Sequence, residues 1–223
     1  SSDADVTAQN GTLAAMTSGD NITWTGTYTP TADVEDATNV LTLATSYTDV
    51  AGNAGPSATT ANFTIDTTAP TVGTFTMTDT ALKSGETSTV TIVFSEAVTG
   101  FSSDADVTAQ NGTLAAMTSG DNITWTGTYT PTADVEDATN VLTLATSYTD
   151  VAGNAGPSAT TLNYIVNTKN DPPTAVNDTA TIAEDSGLSS TNVISNDTDN
   201  SGVIADNDTL TLTAVSIDSA SKG

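Results

Sequence analysis

The chain has 223 residues, with 27 acidic and three basic side chains, a formal net charge of −24, and neither cysteine nor histidine. That charge excludes a basic nucleic-acid footprint and argues against contact with anionic membrane surfaces. Without cysteine there is no disulfide framework and no thiol chemistry, and without histidine the commonest general base and the usual zinc ligand are missing. No run of 18 apolar residues is present, so no membrane-spanning helix is expected. No secretory leader is visible, and the chain opens inside a repeat. Threonine is about one residue in five and valine is frequent, a composition that suits pleated, half-buried strands.

Residues 1–60 recur without a change as residues 102–161, an offset of 101 residues. That period exceeds a solenoid unit of roughly 20–50 residues and matches one immunoglobulin-sized sandwich of roughly 100. Each copy is therefore expected to be a domain with its own core. Residues 1–65 form a copy with no counterpart of residues 72–100, which supply two strands. This partial unit is expected to be less stable than the next, or to borrow a strand from a neighbour, because open edges template further pairing.

The complete copy runs over residues 66–167, and its strands alternate with period two. A weaker strand is predicted over 72–77. In 88–95, Val90, Ile92 and Phe94 share a face. Weaker strands follow over 106–109 and 112–117. In 122–130, Ile123, Trp125, Gly127 and Tyr129 point one way and Thr124, Thr126, Thr128 and Thr130 the other. In 141–148, Leu142, Leu144 and Tyr148 align, and a weak strand over 161–166 closes the copy. Lys83-Ser84-Gly85, Asn111-Gly112, Ser119-Gly120-Asp121, Pro131 and Ala152-Gly153-Asn154 supply the turns between them. Short strands with regular turn signals and no helical period predict an all-β sandwich. Its core is expected to use Phe75, Met77, Val90, Ile92, Phe94, Phe101, Val107, Leu114, Ile123, Trp125, Tyr129, Leu142, Leu144, Tyr148, Leu162 and Tyr164. Trp125 shares its face with Ile123 and Tyr129, which assigns it to the core rather than to a ligand-stacking platform.

After Asn167 the sequence changes character. Lys169-Asn170-Asp171-Pro172-Pro173 reads as a stiff junction, since paired prolines favour extended chain. Residues 168–223 then form a different module, with strand-like 180–182, 192–194 and 209–217. About 50 residues are too few for a full sandwich, so this end is expected to be truncated. The fold class is therefore all-β: tandem immunoglobulin-like sandwiches with a partial β module at the C-terminus.

Several motifs of the complete copy resemble the bacterial Ig-like domains repeated in giant surface adhesins of the RTX type, many of them exported by type I secretion. They are Asp66-Thr67-Thr68-Ala69-Pro70, Val93-Phe94-Ser95-Glu96-Ala97-Val98 with Phe101, Asp106-Val107-Thr108 with Asn111-Gly112-Thr113-Leu114, and Tyr148-Thr149-Asp150-Val151-Ala152-Gly153-Asn154. The tail looks like the cadherin-like tandem repeats of the same giant proteins, through Asn170-Asp171-Pro172-Pro173, Val176-Asn177-Asp178, Glu184-Asp185 and Asn196-Asp197-Thr198-Asp199. The resemblance implies an extracellular, calcium-dependent array on the bacterial surface that holds a terminal binding module away from the cell.

Calcium takes six to eight hard oxygen ligands. One candidate loop is Asp197-Thr198-Asp199-Asn200-Ser201-Gly202 with Asp208, which matches positions 1, 3, 5, 6 and 12 of a calcium loop except that Asp replaces the final Glu. A solvated turn is the competing reading, since Asp, Asn and Gly favour turns. The second candidate set follows from Ig-like topology. The loop from Glu96 to Asp104 and the loop from Asp150 to Asn154 should lie at the pole where the chain enters, beside Asp66. The loop Asp134-Val135-Glu136-Asp137 should lie at the exit pole, bringing Asp134, Glu136 and Asp137 there. Their copies Asp33, Glu35 and Asp36 should then face Asp66 across the first junction, and Asn170 and Asp171 belong to the second. Ordinary acidic loops that keep a protein soluble are the alternative here.

The expected function is a structural extender in a secreted adhesin, stiffened by Ca2+. Its partners would be neighbouring repeats of the same parent chain, with cell-surface glycans or biofilm matrix reached through other domains. Nucleic acid and direct membrane insertion are not expected. The alternative is a carbohydrate- or ice-binding module that uses the outward Thr row. No enzyme is expected: paired-carboxylate hydrolysis needs a defined separation across a cleft, these carboxylates lie in turns, and no Ser has a visible base partner.

Overall fold

A computed structural model describes residues 3–170, 173–178, 192–198 and 211–212. Between Asp66 and Asn167 the strands form two facing sheets. The first has four antiparallel strands in the order Gly112–Leu114, Thr124–Pro131, Ser88–Phe94, Val72–Met77. The second begins with Glu136–Asn140 against Tyr164–Asn167, which also runs parallel to Ala81–Lys83. It continues through Leu142–Leu144, flanked by Val107–Ala109 and Ala159–Thr160. A short rung of Val98–Thr99 with Thr149–Asp150 closes one end. A four-stranded sheet facing a second sheet with this order of strands is the immunoglobulin architecture.

Alternation explains the layers. Ser88, Val90, Ile92 and Phe94 are all buried along one strand. In the long strand Thr124–Pro131, Trp125 and Gly127 are half-buried and Tyr129 buried, while Thr124, Thr126, Thr128 and Thr130 face solvent. Ile92 pairs with Trp125 on one side and Phe75 on the other, so one face fills the core across three strands. The opposing sheet contributes Leu82, Leu142, Leu144, Tyr164 and Val166, each with no exposure. Aromatic contacts tie the layers: Phe94 lies 4.9 Å from Tyr148, Phe101 4.8 Å from Trp125, and Tyr129 5.2 Å from Tyr164. Both Tyr129 and Tyr164 donate their hydroxyls to the carbonyl of Gln110, at 2.7 and 2.5 Å. Asn111, in the left-handed region at φ 49°, turns the chain directly after Gln110. Its amide donates to Asp137 and Asn140 at 2.8 and 2.6 Å.

Several expectations need correction. Leu162 is 85% exposed. It lies in the irregular stretch between Ala159–Thr160 and Tyr164–Asn167, where Thr161 turns inward instead and accepts the Leu142 N–H at 3.0 Å. The matching position of the first copy is Ala61, which is also exposed. Ile123 is half-buried just outside its strand. The strand expected over 106–109 begins only at Val107, because Ser103–Asp106 forms a helical turn. Asp106, 2% exposed, closes that turn by accepting the Ser102 N–H at 2.7 Å and the Ser147 hydroxyl. Leu82, Val98, Met117 and Val166 join the core although alternation did not single them out. In the tail, residues 192–194 are a turn, not a strand: Asn192 accepts the Ile194 N–H at 3.1 Å through its side chain. The strands expected over 180–182 and, apart from residues 211–212, over 209–217 lie outside the described residues.

The first copy repeats the pairings of its twin. Gly11–Leu13 pairs with Tyr28–Pro30, Glu35–Asn39 with Phe63–Asp66, and Leu41–Leu43 with Val6–Ala8 and Ala58–Thr59. Among the described residues, none stands where Val72–Met77 and Ser88–Phe94 cover the second copy. Tyr28, Leu41, Leu43 and Tyr47 are therefore half-buried, although their twins Tyr129, Leu142, Leu144 and Tyr148 are fully enclosed.

The packing of Tyr129 over Gly112 generates a prediction. A Cβ at Gly112 would lie 2.3 Å from the Tyr129 ring, whereas one at Gly120 would meet nothing within 4 Å. Gly112→Ala should destabilise the second unit by ~1–3 kcal/mol in urea unfolding through overpacking. Gly120→Ala should leave its midpoint unchanged.

Candidate metal centre at the first junction

The first junction is held at both ends. Thr67 donates its N–H to the Val34 carbonyl at 2.8 Å and its hydroxyl to the Thr31 carbonyl at 2.7 Å. Thr68 donates its N–H to the Asp66 carboxylate at 3.1 Å. Pro70 is buried, and Thr71 then exchanges backbone and side-chain bonds with Ser95, both at 2.9 Å. This lacing leaves Asp66, the last residue of its strand, beside the near end of the next unit.

Three carboxylates meet there. One oxygen each from Asp66, Glu96 and Asp150 lies within 4.8 Å of the others. Glu96 follows the strand Ser88–Phe94, and Asp150 ends the rung Thr149–Asp150. Glu35 approaches from the first unit, where it stands opposite Asp66 in the strand register. The Asn154 amide sits among these oxygens. Its nitrogen is 2.7 Å from Asp150 Oδ2, 3.4 Å from Asp66 Oδ1, 3.3 Å from the Asp66 carbonyl and 3.2 Å from that of Thr68. An amide offers two N–H donors, so four acceptors compete for two hydrogens and the oxygens are in excess.

The charges register this crowding. Burial raises the Glu96 carboxyl above its ordinary range, and repulsion from Asp150, Asp66 and Glu35 adds to it. Burial also works against the charge on Asp150, whose side chain is nearly enclosed. There the Asn154 side chain and the N–H groups of Asn154, Gly153 and Ala152 more than offset it and hold the carboxyl below its ordinary value. Asp150 is thus held ionised and in place by local donors, whereas the charge on Glu96 is opposed by its neighbours.

The remaining candidates lie elsewhere. Asp36 accepts the Thr38 N–H and the Asn10 amide, and Asp137 does the same with Thr139 and Asn111. Backbone bonds from Thr38 and Thr139 keep both carboxyls low. They brace the start of their strands, which corrects the expectation that residues 134–137 form a loop: Glu136 and Asp137 open the strand Glu136–Asn140. Asp33 and Asp134 occupy left-handed turns at φ 56° and 61°, and Asp104 is exposed on the short helical turn.

The second junction has a different chemistry. By the repeat offset, Asn167 replaces Asp66 and Lys169 replaces Thr68. The Lys169 ammonium lies 3.6 Å from Glu136, the twin of Glu35. Asn170 is exposed, and Asp171 lies outside the described residues. Of the proposed tail ligands only Asp197 is described; it accepts the Val176 N–H at 2.7 Å. Asp199, Ser201 and Asp208 lie outside the described residues.

Comparison with known proteins gives one match. The family model described as bacterial Ig-like domain matches residues 2–65 and again residues 66–166. The chain belongs to the bacterial Ig-like domain family. No curated protein and no solved structure matches it. A bacterial Ig-like domain of this kind is a structural repeat module, and its two matched segments meet at the residue where the three carboxylates converge. An assumed Ig-like topology places the loops carrying Glu96 and Asp150 at the entry pole beside Asp66, and the structure brings the three carboxylates together there. Ala81–Lys83, which supplies Leu82 to the core, carried no usable signal because three residues are too short to show a period.

The repulsion at Glu96 has a measurable sign. Its raised folded-state pKa means that neutral Glu96 is best tolerated at low pH, and that stability is lost as pH rises through the raised value. Without divalent cations at neutral pH, Glu96→Gln should therefore raise the melting midpoint, and this gain should vanish at pH values below the ordinary Glu range. Equal effects of the substitution at both pH values would contradict the assignment.

Proposed function

We propose that this chain is a calcium-stiffened spacer segment of a bacterial surface adhesin. The observation that carries the reading is the meeting of Asp66, Glu96 and Asp150 at the seam between two matched repeats, with oxygens in excess over donors. Asp66 ends the strand Phe63–Asp66 of the first unit and is the first residue of the second matched segment, while Glu96 and Asp150 lie well inside that second segment. A cation held by all three would bridge the units, with Glu35 and the Asp66 and Thr68 carbonyls as further oxygen donors. Hard oxygen ligands in this number suit Ca2+. Calcium would remove the repulsion that destabilises the empty cluster and would restrict bending at residues 66–70. In that role Lys169 supplies the positive charge to Glu136 at the second junction, so the two joints would differ in calcium dependence.

An acidic repeat module suits an extracellular position, where millimolar calcium is available. No helix among the described residues is long and apolar enough to cross a membrane. Partners would be neighbouring repeats, with target binding carried by other domains of the parent chain. A second reading has one observation in its favour. Exposed threonines recur on adjacent strands of the four-stranded sheet, with Thr89 opposite Thr128 and Thr113 opposite Thr130. Glycan or ice binding lost on replacing Thr126, Thr128 and Thr130 by Val would favour that reading. Exposed strand faces are commonly rich in Thr, so the spacer reading is preferred.

Extracellular modules bind calcium at about 10⁻⁴–10⁻³ M. Linkage then predicts that saturating calcium raises the melting midpoint by roughly 5–10 °C relative to EDTA. Asp150→Asn and Asp66→Asn should each remove most of that rise. A midpoint unchanged between EDTA and 10-fold excess over that affinity range would overturn the proposal.

A further inference from the structure

Asn-Gly occurs at residues 10–11 and 111–112, the same place in both copies. In the second copy the structure gives each residue a reason. Asn111 turns the chain between Val107–Ala109 and Gly112–Leu114 in the left-handed region, which Asn tolerates better than most side chains. Gly112 has to be glycine because the Tyr129 ring lies where a Cβ would stand. The Asn111 amide then ties the two sheets, donating to Asp137 Oδ2 at 2.8 Å and to Asn140 Oδ1 at 2.6 Å. Asn10 makes the same two bonds with Asp36 and Asn39, both at 2.8 Å.

Asn followed by Gly is also a pair open to attack on itself, since no side chain shields the glycine nitrogen or restricts its approach. We propose that Asn111 is a self-modification site, protected by its ties to Asp137 and Asn140 while the sheets are closed and converted when Gly112–Leu114 lifts away. The Gly112 main-chain nitrogen bonds to Asn111 Cγ, the Cγ–Nδ2 bond breaks, and the glycine N–H proton leaves with the amide as ammonia. Water then opens the cyclic imide at either carbonyl, giving aspartate or an isoaspartate whose main chain runs through Cγ. No enzyme, metal or oxidant enters the balance.

Either product fits the closed site badly. A carboxylate at residue 111 brings like charge against Asp137 and offers no hydrogen to Asn140. Asn140 cannot turn to compensate: it is 1% exposed, and its own amide already donates to the carbonyls of Asp137 and Tyr164 at 3.0 and 3.2 Å. Its oxygen would be left buried without that donor, which costs stability. Isoaspartate also lengthens the main chain by one carbon beside Gln110, whose carbonyl takes the Tyr129 and Tyr164 hydroxyls. Conversion is therefore slow in the closed unit and, once made, weakens the contact that blocked it. Local opening of the strand sets its rate. This inference rests on hydrogen bonds within the second unit and is independent of calcium.

The full chain is held in mildly alkaline buffer, native and in urea beyond its unfolding midpoint, and sampled over time. Cleavage at lysine puts Asn111 in the fragment 84–169, apart from Asn10 in 1–83. The gain of one mass unit is then located at residue 111 by fragment sequencing. Conversion should be at least ten-fold slower in the native chain than in urea. Asp137→Ala should speed the native rate several-fold and leave the urea rate unchanged. Ile92→Val, which loosens the core at a distance, should speed it less for the same drop in urea midpoint. Asn111→Asp should lower the urea midpoint of the second unit. Equal rates in the native chain and in urea, equal acceleration by the two variants at a matched drop in midpoint, or an unchanged midpoint in Asn111→Asp would overturn the proposal.

Discussion

Ser88–Phe94 is the strand on which both the core and the junction depend. It occupies an inner position of the four-stranded sheet, between Val72–Met77 and Thr124–Pro131. Its inward residues fill the space between the sheets, and none of Val90, Ile92 or Phe94 is more than 2% exposed. The chain leaves this strand at Ser95, whose bonds with Thr71 fix the start of the unit. Glu96 is carried from there to the seam. Core packing thus sets where an acidic group meets its neighbours, and the same segment that closes the sandwich completes the carboxylate cluster. The first copy shows the converse: without this strand its aromatic residues stay half-exposed, and Asp49, the twin of Asp150, is exposed with only Asn53 and local backbone groups around it.

Electrostatics gives the junction its direction. A chain with net charge −24 repels itself. Many of the described acidic groups answer that locally, by accepting nearby backbone N–H groups. Asp20 is held at about 2 by the N–H groups of Thr23 and Ile22 and by Ser18. Glu96 has no such donors and is raised instead. The contrast separates carboxylates braced by local donors from Glu96, whose charge is opposed by burial and by Asp150, Asp66 and Glu35.

Much of the fold was legible in the sequence because an exposed sheet face and a buried one alternate cleanly. The strand over 72–77 and the strand from Ser88 to Phe94 follow directly from apolar period two. Short elements were not legible. Ala81–Lys83 and Val98–Thr99 hold two or three residues, and their positions are set by which sheet the chain crosses to. Leu162 misled because its apolar character has no period to support it, and an irregular step brings Thr161 inward. At the site, residue type picked out acidic loops, but only the topology distinguishes Asp66, Glu96 and Asp150 from Asp36 and Asp137. The latter pair are equally acidic, but the Asn10 and Asn111 amides already donate to them.

The exact sixty-residue repeat suits the proposed spacer role, since a second identical unit in series adds reach before it adds specificity. Length is useful to a surface array when its joints resist bending, which places the burden on residues 66–70 and the carboxylates around them. The most direct measurement is ¹⁵N relaxation of the full chain with millimolar calcium and with EDTA. The account predicts that the two Ig-like units tumble as one body with calcium and with separate correlation times without it. Separate tumbling in both conditions, or a single body in both, would contradict the claim that a cation locks the junction.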